Sequence, residues 1–222
     1  MKKVLSLIRA LLFPKRCIYC GEVIGFAPRC RCEMQRQRCR LEGEAALLRG
    51  VIPQLAGGVA CYRYEDPVRR GIHRLKFGGA SQFAACYGEE MAAKLREELP
   101  DLRPDAVIPI PSTRKERAER GYDIPHLMAQ QIARHLAIPI WDDILIKESE
   151  TQRQHDLSLK ERKSNLIGAF GLCNAERLQG RIVLLCDDVT TSGATLEEAA
   201  KVLRAGGAAQ VWGVVFARAM PR

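Results

Sequence analysis

The segment from Val183 to Thr195 combines two adjacent carboxylates with a run of hydroxyl side chains. Four apolar residues form a buried strand that leads to Asp187 and Asp188, and the pattern places this acidic pair in a loop that opens a helix. Backbone N–H groups at a helix start, joined by hydroxyls, form a cradle for a phosphate dianion. Gly193 would let the backbone approach the anion closely. The phosphate-binding candidates are Thr190, Thr191, Ser192, Gly193, Ala194 and Thr195.

The two acids require a ligand that is more than an anion. Asp187 and Asp188 would repel a phosphate, so they must serve a neutral or cationic part of the same ligand. Ribose hydroxyls and Mg²⁺ meet that requirement. The simpler alternative is an acidic strand end that only caps a helix. The segment therefore predicts a sugar phosphate bound with Mg²⁺, with Asp187 and Asp188 as the catalytic candidates.

Five of the nine cysteines lie between positions 17 and 39, which indicates a metal site. Clustered thiols in a reducing compartment bind metal more often than they pair as disulfides. Cys17 and Cys20 form a C-x2-C pair that can bring two thiolates to one tetrahedral ion. Cys30 and Cys32 are expected to complete a structural Zn²⁺ site, with Cys39 as a competitor for the fourth position. Free thiols in a partly disordered leader are the alternative.

The elements that must position these residues alternate between strands and helices from Val59 onward. Strands are predicted at 59–64, 106–108, 140–146, 166–172, 182–186 and 210–217. Helices are predicted at Val68–Gly78, Phe83–Leu95, Leu127–Leu136 and Thr195–Arg204. Asp66 is the expected N-cap of the first helix, and a charged loop is expected after Pro111. This alternation predicts an α/β fold with an open, mostly parallel sheet covered by helices on both faces. Ligands of such sheets bind beyond the carboxyl ends of the strands.

Composition and charge fit a soluble domain with a basic leader. Hydrophobic residues make up 47% and charged residues 27% of the 222, and no apolar run approaches the about 18 residues that would span a bilayer. The formal net charge is +9, of which residues 1–50 carry +7. We expect a basic, cysteine-rich, zinc-binding segment at 1–50, beginning with an amphipathic helix over Met1–Phe13, and the α/β domain at 51–222. Without a secretory signal the protein is expected in the cytoplasm, and phosphate-bearing partners would meet the basic end first unless that end is only solvated.

Over most of its length the sequence resembles the ComF (ComFC) family, phosphoribosyltransferase-like proteins of DNA uptake. The segment 183–195 is similar to the fingerprint of type I phosphoribosyltransferases, and Leu75–Gly79 resembles the family's lysine-phenylalanine block. A second block is matched by Val107–Pro111 with Arg114, Arg117, Arg120, Gly121 and Tyr122, and a third by Thr151, Gln154, Leu157, Arg162, Asn165 and Phe170. The cysteine spacing departs from the two C-x2-C pairs of the family.

The resemblance implies a type I phosphoribosyltransferase-like fold that binds 5-phosphoribosyl-1-pyrophosphate with Mg²⁺. Asp187 and Asp188 would bind the ribose 2- and 3-hydroxyls, and Thr191–Thr195 would hold the 5-phosphate. Segment 148–165 occupies the place of a mobile lid, with Gln154 and Arg162 as its contact candidates. The loop formed by Pro109, Ile110, Pro111 and Ser112 would direct backbone N–H groups at the pyrophosphate, whose charge would be neutralised by Arg114, Lys115, Arg117 and Arg120. Lys76 is a further ligand candidate, although a cation is favourable at any helix C-terminus.

Two functions from different classes fit these residues, and a third interpretation is a regulator of nucleotide synthesis that binds RNA. The first is pentosyl transfer from phosphoribosyl pyrophosphate to an unidentified acceptor. The second is a non-catalytic adaptor that holds a nucleotide or single-stranded DNA and docks a DNA-uptake helicase. Turnover separates the two.

Overall fold

Four parallel strands form the central sheet in this computed structural model, which describes residues 16–24, 30, 32–79, 81–147 and 168–220. Six strands are present in this part of the chain: β1 (Gly57–Arg63), β2 (Ala106–Pro109), β3 (Leu145–Lys147), β4 (Phe170–Leu172), β5 (Ile182–Thr190) and β6 (Gln210–Arg218). The central sheet has the order β1-β6-β5-β2, and each neighbouring pair is parallel. β6 is the last of these strands along the chain, and it lies between β1 and β5.

Helices cover both faces of this sheet. The six described α-helices are α1 (Glu33–Cys39), α2 (Val68–Phe77), α3 (Ala84–Glu98), α4 (Arg114–Arg120), α5 (Ile124–Leu136) and α6 (Ala194–Ala205). Ile72 of α2, Tyr87 of α3 and Met128 of α5 are fully buried in one core cluster, and Leu196 and Leu203 of α6 are fully buried in the other. The α/β architecture predicted from the sequence is therefore confirmed.

The charged segment after Pro111 is a helix and not the predicted loop. Thr113 caps α4 through a capping box, because its side chain accepts from the Glu116 N–H at 3.1 Å while the Glu116 carboxylate accepts from the Thr113 N–H at 2.8 Å. Gly121 ends the helix with φ 78°, a left-handed conformation that glycine adopts without strain. Local capping thus orders a segment whose charges alone favoured a loop.

The predicted N-cap of α2 is wrong by one position. Pro67 occupies the cap position and makes no side-chain cap bond. The Asp66 carboxylate instead lies 3.1 Å from Arg69 and 3.4 Å from Arg70, as an ion pair with the first turn. A short acidic side chain here pairs with cations one turn later.

The predicted strand at 140–146 is not continuous, and residues 166–167 of the predicted strand at 166–172 lie outside the described residues. Ile140 forms a single parallel bridge with Val107 of β2, whereas Leu145–Lys147 and Phe170–Leu172 pair antiparallel as a separate two-stranded sheet. Asp143 interrupts the earlier run, since its carboxylate accepts from Asn174 at 2.9 Å and pairs with Arg177 at 2.8 Å. The predicted helix at 1–13 and the predicted lid at 148–165, including Gln154 and Arg162, lie outside the described residues.

The described part of the N-terminal fifth packs directly on the sheet. Leu47 forms an antiparallel bridge with Val59, and Arg40 forms one with Tyr62. Leu41 and Leu48 are buried in the core cluster shared with α6. The boundary at residue 50 stays a prediction. Within the described residues no helix is both long enough and apolar enough to cross a membrane.

Candidate functional site

The acidic pair lies on β5 itself, not in the loop predicted from the sequence. β5 continues to Thr190 because Asp187, Val189 and Thr190 are each in register with residues of the long neighbour β6. Pairing with β6 satisfies the backbone N–H and C=O groups of these residues, so the strand continues beyond the apolar run that ends at Cys186. Asp187 and Asp188 are 9% and 5% exposed, and the Asp187 carboxylate accepts from the Asp188 N–H at 2.8 Å. The two carboxylates are therefore buried at the carboxyl edge of the sheet.

Lys76 reaches this pair from the last turn of α2. Its Nζ lies 2.8 Å from Oδ2 and 3.0 Å from Oδ1 of Asp188. Burial acts to lower the pKa of Lys76, but the attraction of Asp188 outweighs it, so the pKa is raised. Lys76 is therefore a charged partner of the acid pair, which goes beyond a favourable charge at a helix end.

The end of α4 brings Arg120 to the same place. Tyr122 donates a hydrogen bond to the Leu75 carbonyl at 2.6 Å, which ties the chain after α4 to the end of α2. The Arg120 guanidinium lies 5.6 Å from the ring centre of the exposed Phe77 and pairs with Glu116 at 3.4 Å. Its charge acts to lower the pKa of Lys76, consistent with two cations at one site. Arg114 lies at the other end of α4 and is exposed.

The loop from Pro109 to Ser112 starts beside the acids, because Pro109 pairs in register with Cys186. Its backbone N–H groups are already bonded within the protein, which corrects the expectation that they face the pyrophosphate. Prolines have no N–H group, the Ile110 N–H is bonded to the Cys186 carbonyl at 2.8 Å, and the Ser112 N–H is bonded to Asp123 at 3.0 Å. Recognition of an anion at this loop would therefore depend on side chains.

Loop residues 191–193 lead from β5 into α6, as the sequence predicted. Gly193 occupies the N-cap position with φ 82°. A Cβ at Gly193 would come within 2.9 Å of Ile52, so this glycine is required by its conformation and by the close approach of the N-terminal segment. The expected close approach to an anion is a separate property and stays a prediction. Thr191 and Ser192 are exposed, so their hydroxyls are accessible.

The acid pair has an unusual proton affinity. Burial, followed by the negative charge of Asp188, raises the pKa of Asp187 from 3.8 to about 8. The cations Lys76 and Lys147 act in the opposite direction. Near neutral pH the pair therefore holds a proton that a bound cation or a change of pH can release.

We expect the free energy of unfolding of the wild-type chain to fall relative to that of the Asp187→Asn variant as the pH rises from about 4 towards 8. Folded Asp187 keeps its proton up to its raised pKa, whereas unfolded Asp187 ionises near 3.8. The folded state therefore binds more protons in this window, and its extra stability is lost as the pH rises, by at most about 1.4 kcal/mol per pH unit. Urea denaturation of both chains at several pH values measures the difference. A difference that does not change with pH would contradict the assigned proton.

Four of the five N-terminal cysteines form one cluster. The sulfur atoms of Cys17, Cys20, Cys30 and Cys32 all lie within 4.8 Å of one another, with Cys17 and Cys32 at 3.5 Å and Cys20 and Cys30 at 3.3 Å. A tetrahedral zinc ion with Zn–S bonds of about 2.3 Å needs sulfurs about 3.8 Å apart. Cys39 lies outside the cluster, and its Sγ faces the Asp66 carbonyl at 3.5 Å. The four thiols could hold a metal ion such as zinc, and Cys32, not Cys39, is the fourth member of the cluster.

The cluster is joined to the body by a buried polar and aromatic contact. Tyr19, between the first two cysteines, and Tyr62 of β1 each donate to the Glu90 carboxylate at 2.5 Å. The Tyr19 ring lies 5.6 Å from that of Tyr87, whose hydroxyl donates to the Ile18 carbonyl at 2.7 Å. The cysteine loop therefore packs against β1 and α3.

Sequence reasoning missed two cations near the strand ends. Lys147 ends β3 and acts on the pKa of Asp187. Arg218 ends β6 beside Thr190. Neither residue lies in a motif. Only the strand order brings Arg218 next to the loop 191–193, which carries Thr191 and Ser192 and is called the hydroxyl loop below.

Comparisons with known proteins agree with the fold. A family model described as "Phosphoribosyl transferase domain" matches residues 126–221. Competence protein F of Haemophilus influenzae is 40% identical over 117 residues, which cover 51% of each chain. DNA utilization protein YhgH of Shigella flexneri is 34% identical over 155 residues, covering 67% of each chain. Competence protein ComFC of Bacillus subtilis is 28% identical over 200 residues, covering 88% of this chain and 74% of that protein. The chain thus spans about half the length of the first relative and two thirds of the second.

Proposed function

Because this chain belongs to the ComF family, with competence protein F, ComFC and DNA utilization protein YhgH, we propose that it binds 5-phosphoribosyl-1-pyrophosphate with Mg²⁺ and transfers the phosphoribosyl group. One observation carries the proposal. A buried acid pair, a hydroxyl-rich loop at a helix start and two cations meet at the carboxyl edge of a parallel sheet. This is the chemistry that a sugar carrying two phosphate groups requires.

The residues of the site divide the ligand among them. Asp187 and Asp188 accept hydrogen bonds from the ribose hydroxyls, and Thr191–Thr195 hold the 5-phosphate at the start of α6. Carboxylate oxygens are suitable ligands for Mg²⁺, so Asp187 and Asp188 would hold the ion, which would supply neutralisation of the pyrophosphate charge. The Lys76 ammonium is paired with the Asp188 carboxylate. It would therefore lie close to a ligand that the two acids bind.

In the reaction, the bond from the anomeric carbon to pyrophosphate breaks, and pyrophosphate leaves with the electron pair. A bond from the anomeric carbon to the acceptor forms, and the acceptor loses a proton to solvent. The site needs to stabilise the leaving charge more than it needs a strong base. Arg120, with Arg114 at the start of α4, supplies that stabilisation, since the amides of the loop from Pro109 to Ser112 are bonded within the protein.

The cysteine cluster is proposed to hold a structural Zn²⁺. Four thiolates close its coordination sphere and leave no open position for catalysis. A thiolate site of this kind fits a reducing compartment, and on that ground we place the protein in the cytoplasm.

The names of the relatives suggest a link to DNA uptake, and we propose that this chain takes part in it. Single-stranded DNA and a DNA-uptake helicase are its proposed partners. The +7 charge of residues 1–50 supports contact with phosphates. Arg36 and Arg40, however, are paired with Glu90 and Glu97 at 3.3 and 2.6 Å. The DNA-facing cations would then be other basic residues of this segment.

Turnover is expected to release pyrophosphate. The full chain, Mg²⁺ and phosphoribosyl pyrophosphate are incubated with purine and pyrimidine bases in turn, and pyrophosphate is measured enzymatically. We expect release with at least one base and none from the Asp187→Asn/Asp188→Asn variant. If the ligand binds but no base yields pyrophosphate, the enzyme is excluded for these acceptors, and the non-catalytic adaptor is the better description.

A further inference from the structure

A cavity of about 390 Å³ opens beside the loop that joins β5 to α6. One side is polar and consists of the loop and the strand end before it, residues 190–193. The other side is mainly apolar and comes from two distant parts of the chain: Leu48, Val51 and Ile52, and residues 218–220. The cavity therefore lies at the carboxyl edge of the sheet, on the side of the loop that faces the N-terminal segment.

Arg218 is the charged residue that lines this cavity. It is only 9% exposed, and its Nη1 donates to the Leu47 carbonyl at 2.9 Å while its Nε lies 3.2 Å from the Met220 sulfur. Among the described residues, no carboxylate lies within ion-pair distance of this guanidinium, and its Nη2 makes no hydrogen bond. Burial lowers the pKa of Arg218, and no neighbouring acid acts to raise it. A buried cation without a counter-charge is costly, so a bound anion would stabilise it.

The neighbouring strand provides a contrast within the same sheet edge. Arg63 ends β1 in register with Arg218. Arg63 is more exposed, lies 4.0 Å from the Glu65 carboxylate, and donates to the Arg38 carbonyl. It therefore already has a counter-charge, and it does not line the cavity. Of these two arginines, Arg218 is therefore the one that lacks a counter-charge.

Strand register places the Arg218 backbone next to the hydroxyl loop. Arg218 pairs with Thr190, and the following N–H, that of Ala219, donates to the Thr190 carbonyl at 2.9 Å. Adjacent strands lie about 4.8 Å apart, and Arg218, Thr191 and Ser192 all line the same cavity. An arginine fork and hydroxyls together match the oxygens of a phosphate monoester.

We propose that Arg218 binds the terminal phosphate of the ligand, a sugar 5-phosphate, in this cavity together with Thr191 and Ser192. The proposal rests on the proposed function, because it assigns the cation for the 5-phosphate of the same ligand. Its free Nη2 group donates to the phosphate, while its bond to Leu47 fixes the orientation of the side chain. The pyrophosphate lies at the other end of the ligand, near Arg120, and makes no contact with Arg218.

Calorimetry with three probes tests this assignment. The probes are phosphoribosyl pyrophosphate, ribose 5-phosphate and inorganic pyrophosphate, each with Mg²⁺, on the full chain. The Arg218→Gln variant is expected to lose at least about tenfold in affinity for the first two probes, because a charge-assisted hydrogen bond is lost. Its affinity for pyrophosphate should be unchanged. Arg218→Lys should recover only part of the loss, because lysine lacks the planar fork.

Arg63→Gln is the matched control, since it removes the same charge from the same sheet edge, and it should leave all three affinities unchanged. Thermal denaturation of each variant shows whether the Leu47 contact is needed for stability. A lower melting temperature with unchanged affinity for the 5-phosphate probes would show that Arg218 is only structural and overturn the proposal. A loss of equal size for pyrophosphate would overturn it as well.

Failure of the proposed function gives a different result. If the wild-type chain binds ribose 5-phosphate but not phosphoribosyl pyrophosphate, the proposed function fails, and a tenfold loss of ribose 5-phosphate affinity in Arg218→Gln still supports the phosphate site. If the wild-type chain binds neither of the 5-phosphate probes, both proposals are overturned.

Discussion

Replacing Asp187 and Asp188 by asparagine together is expected to lower the affinity for Mg²⁺ and phosphoribosyl pyrophosphate by at least about 100-fold, or about 2.7 kcal/mol. Asparagine retains the shape of aspartate but not the negative charge that attracts Mg²⁺ and accepts strong hydrogen bonds from ribose hydroxyls. Calorimetry with the Mg²⁺ complex of the ligand measures the loss. This is the largest effect expected of any change in the ligand site.

The same variant should stay folded. The bond from the Asp188 N–H to the Asp187 carboxylate can be replaced by an amide oxygen, and the repulsion between two buried acids disappears. Lys76 loses its partner but is partly exposed and can turn to water. The exposed pair Asp142 and Asp143 offers a matched control, since Asp142→Asn/Asp143→Asn makes the same two substitutions at adjacent acids elsewhere. Undiminished ligand affinity in a folded Asp187→Asn/Asp188→Asn chain would contradict the proposed role of the acids.

Removing one sulfur from the cysteine cluster is expected to cost the protein its metal and on the order of 3 kcal/mol of stability or more. Cys17→Ser is the most direct change, because Cys17 is buried and its carbonyl accepts a hydrogen bond from Arg74 of α2 at 2.9 Å. The loss should also weaken ligand binding, since α2 carries Lys76. Elemental analysis for bound metal and urea denaturation, with and without a chelator, measure both effects.

Cys39→Ser is the control for this change. Cys39 is as buried as Cys17 and belongs to the same segment, but its sulfur lies outside the cluster. Cys39→Ser should therefore keep one metal ion per chain, whereas Cys32→Ser should lose it. The opposite pattern would make Cys39 the fourth ligand and contradict the geometry of the cluster.

The sequence predicts most of the central sheet because its strands are continuous apolar runs. The length of β5 could not be predicted in this way, since residues 187–190 are mostly polar and are extended only because β6 pairs with them. The strands at 140–146 and 166–172 show the reverse case. Their apolar residues favour a strand, but Asp143 is held in a turn by contacts with Asn174 and Arg177.

The candidate site shows the same division between local and distant information. The hydroxyl loop is contained in one short segment, so the sequence predicts it. The ion pair of Lys76 with Asp188 joins residues 112 positions apart, and the place of Arg218 depends on strand order. The shortage of backbone donors in the loop from Pro109 to Ser112 could have been recognised from the sequence, because Pro109 and Pro111 have no N–H group.

The position of β6 has a consequence for synthesis of the protein. Translation delivers β1 first and β6 last, yet β6 separates β1 from β5. Until residues 210–218 leave the ribosome, the nascent chain exposes unpaired backbone on both of these strands, the kind of surface that chaperones protect. A premature stop codon before Gln210 would therefore leave β1 with no strand to join it to the rest of the sheet, and the product would be a substrate for quality-control proteases.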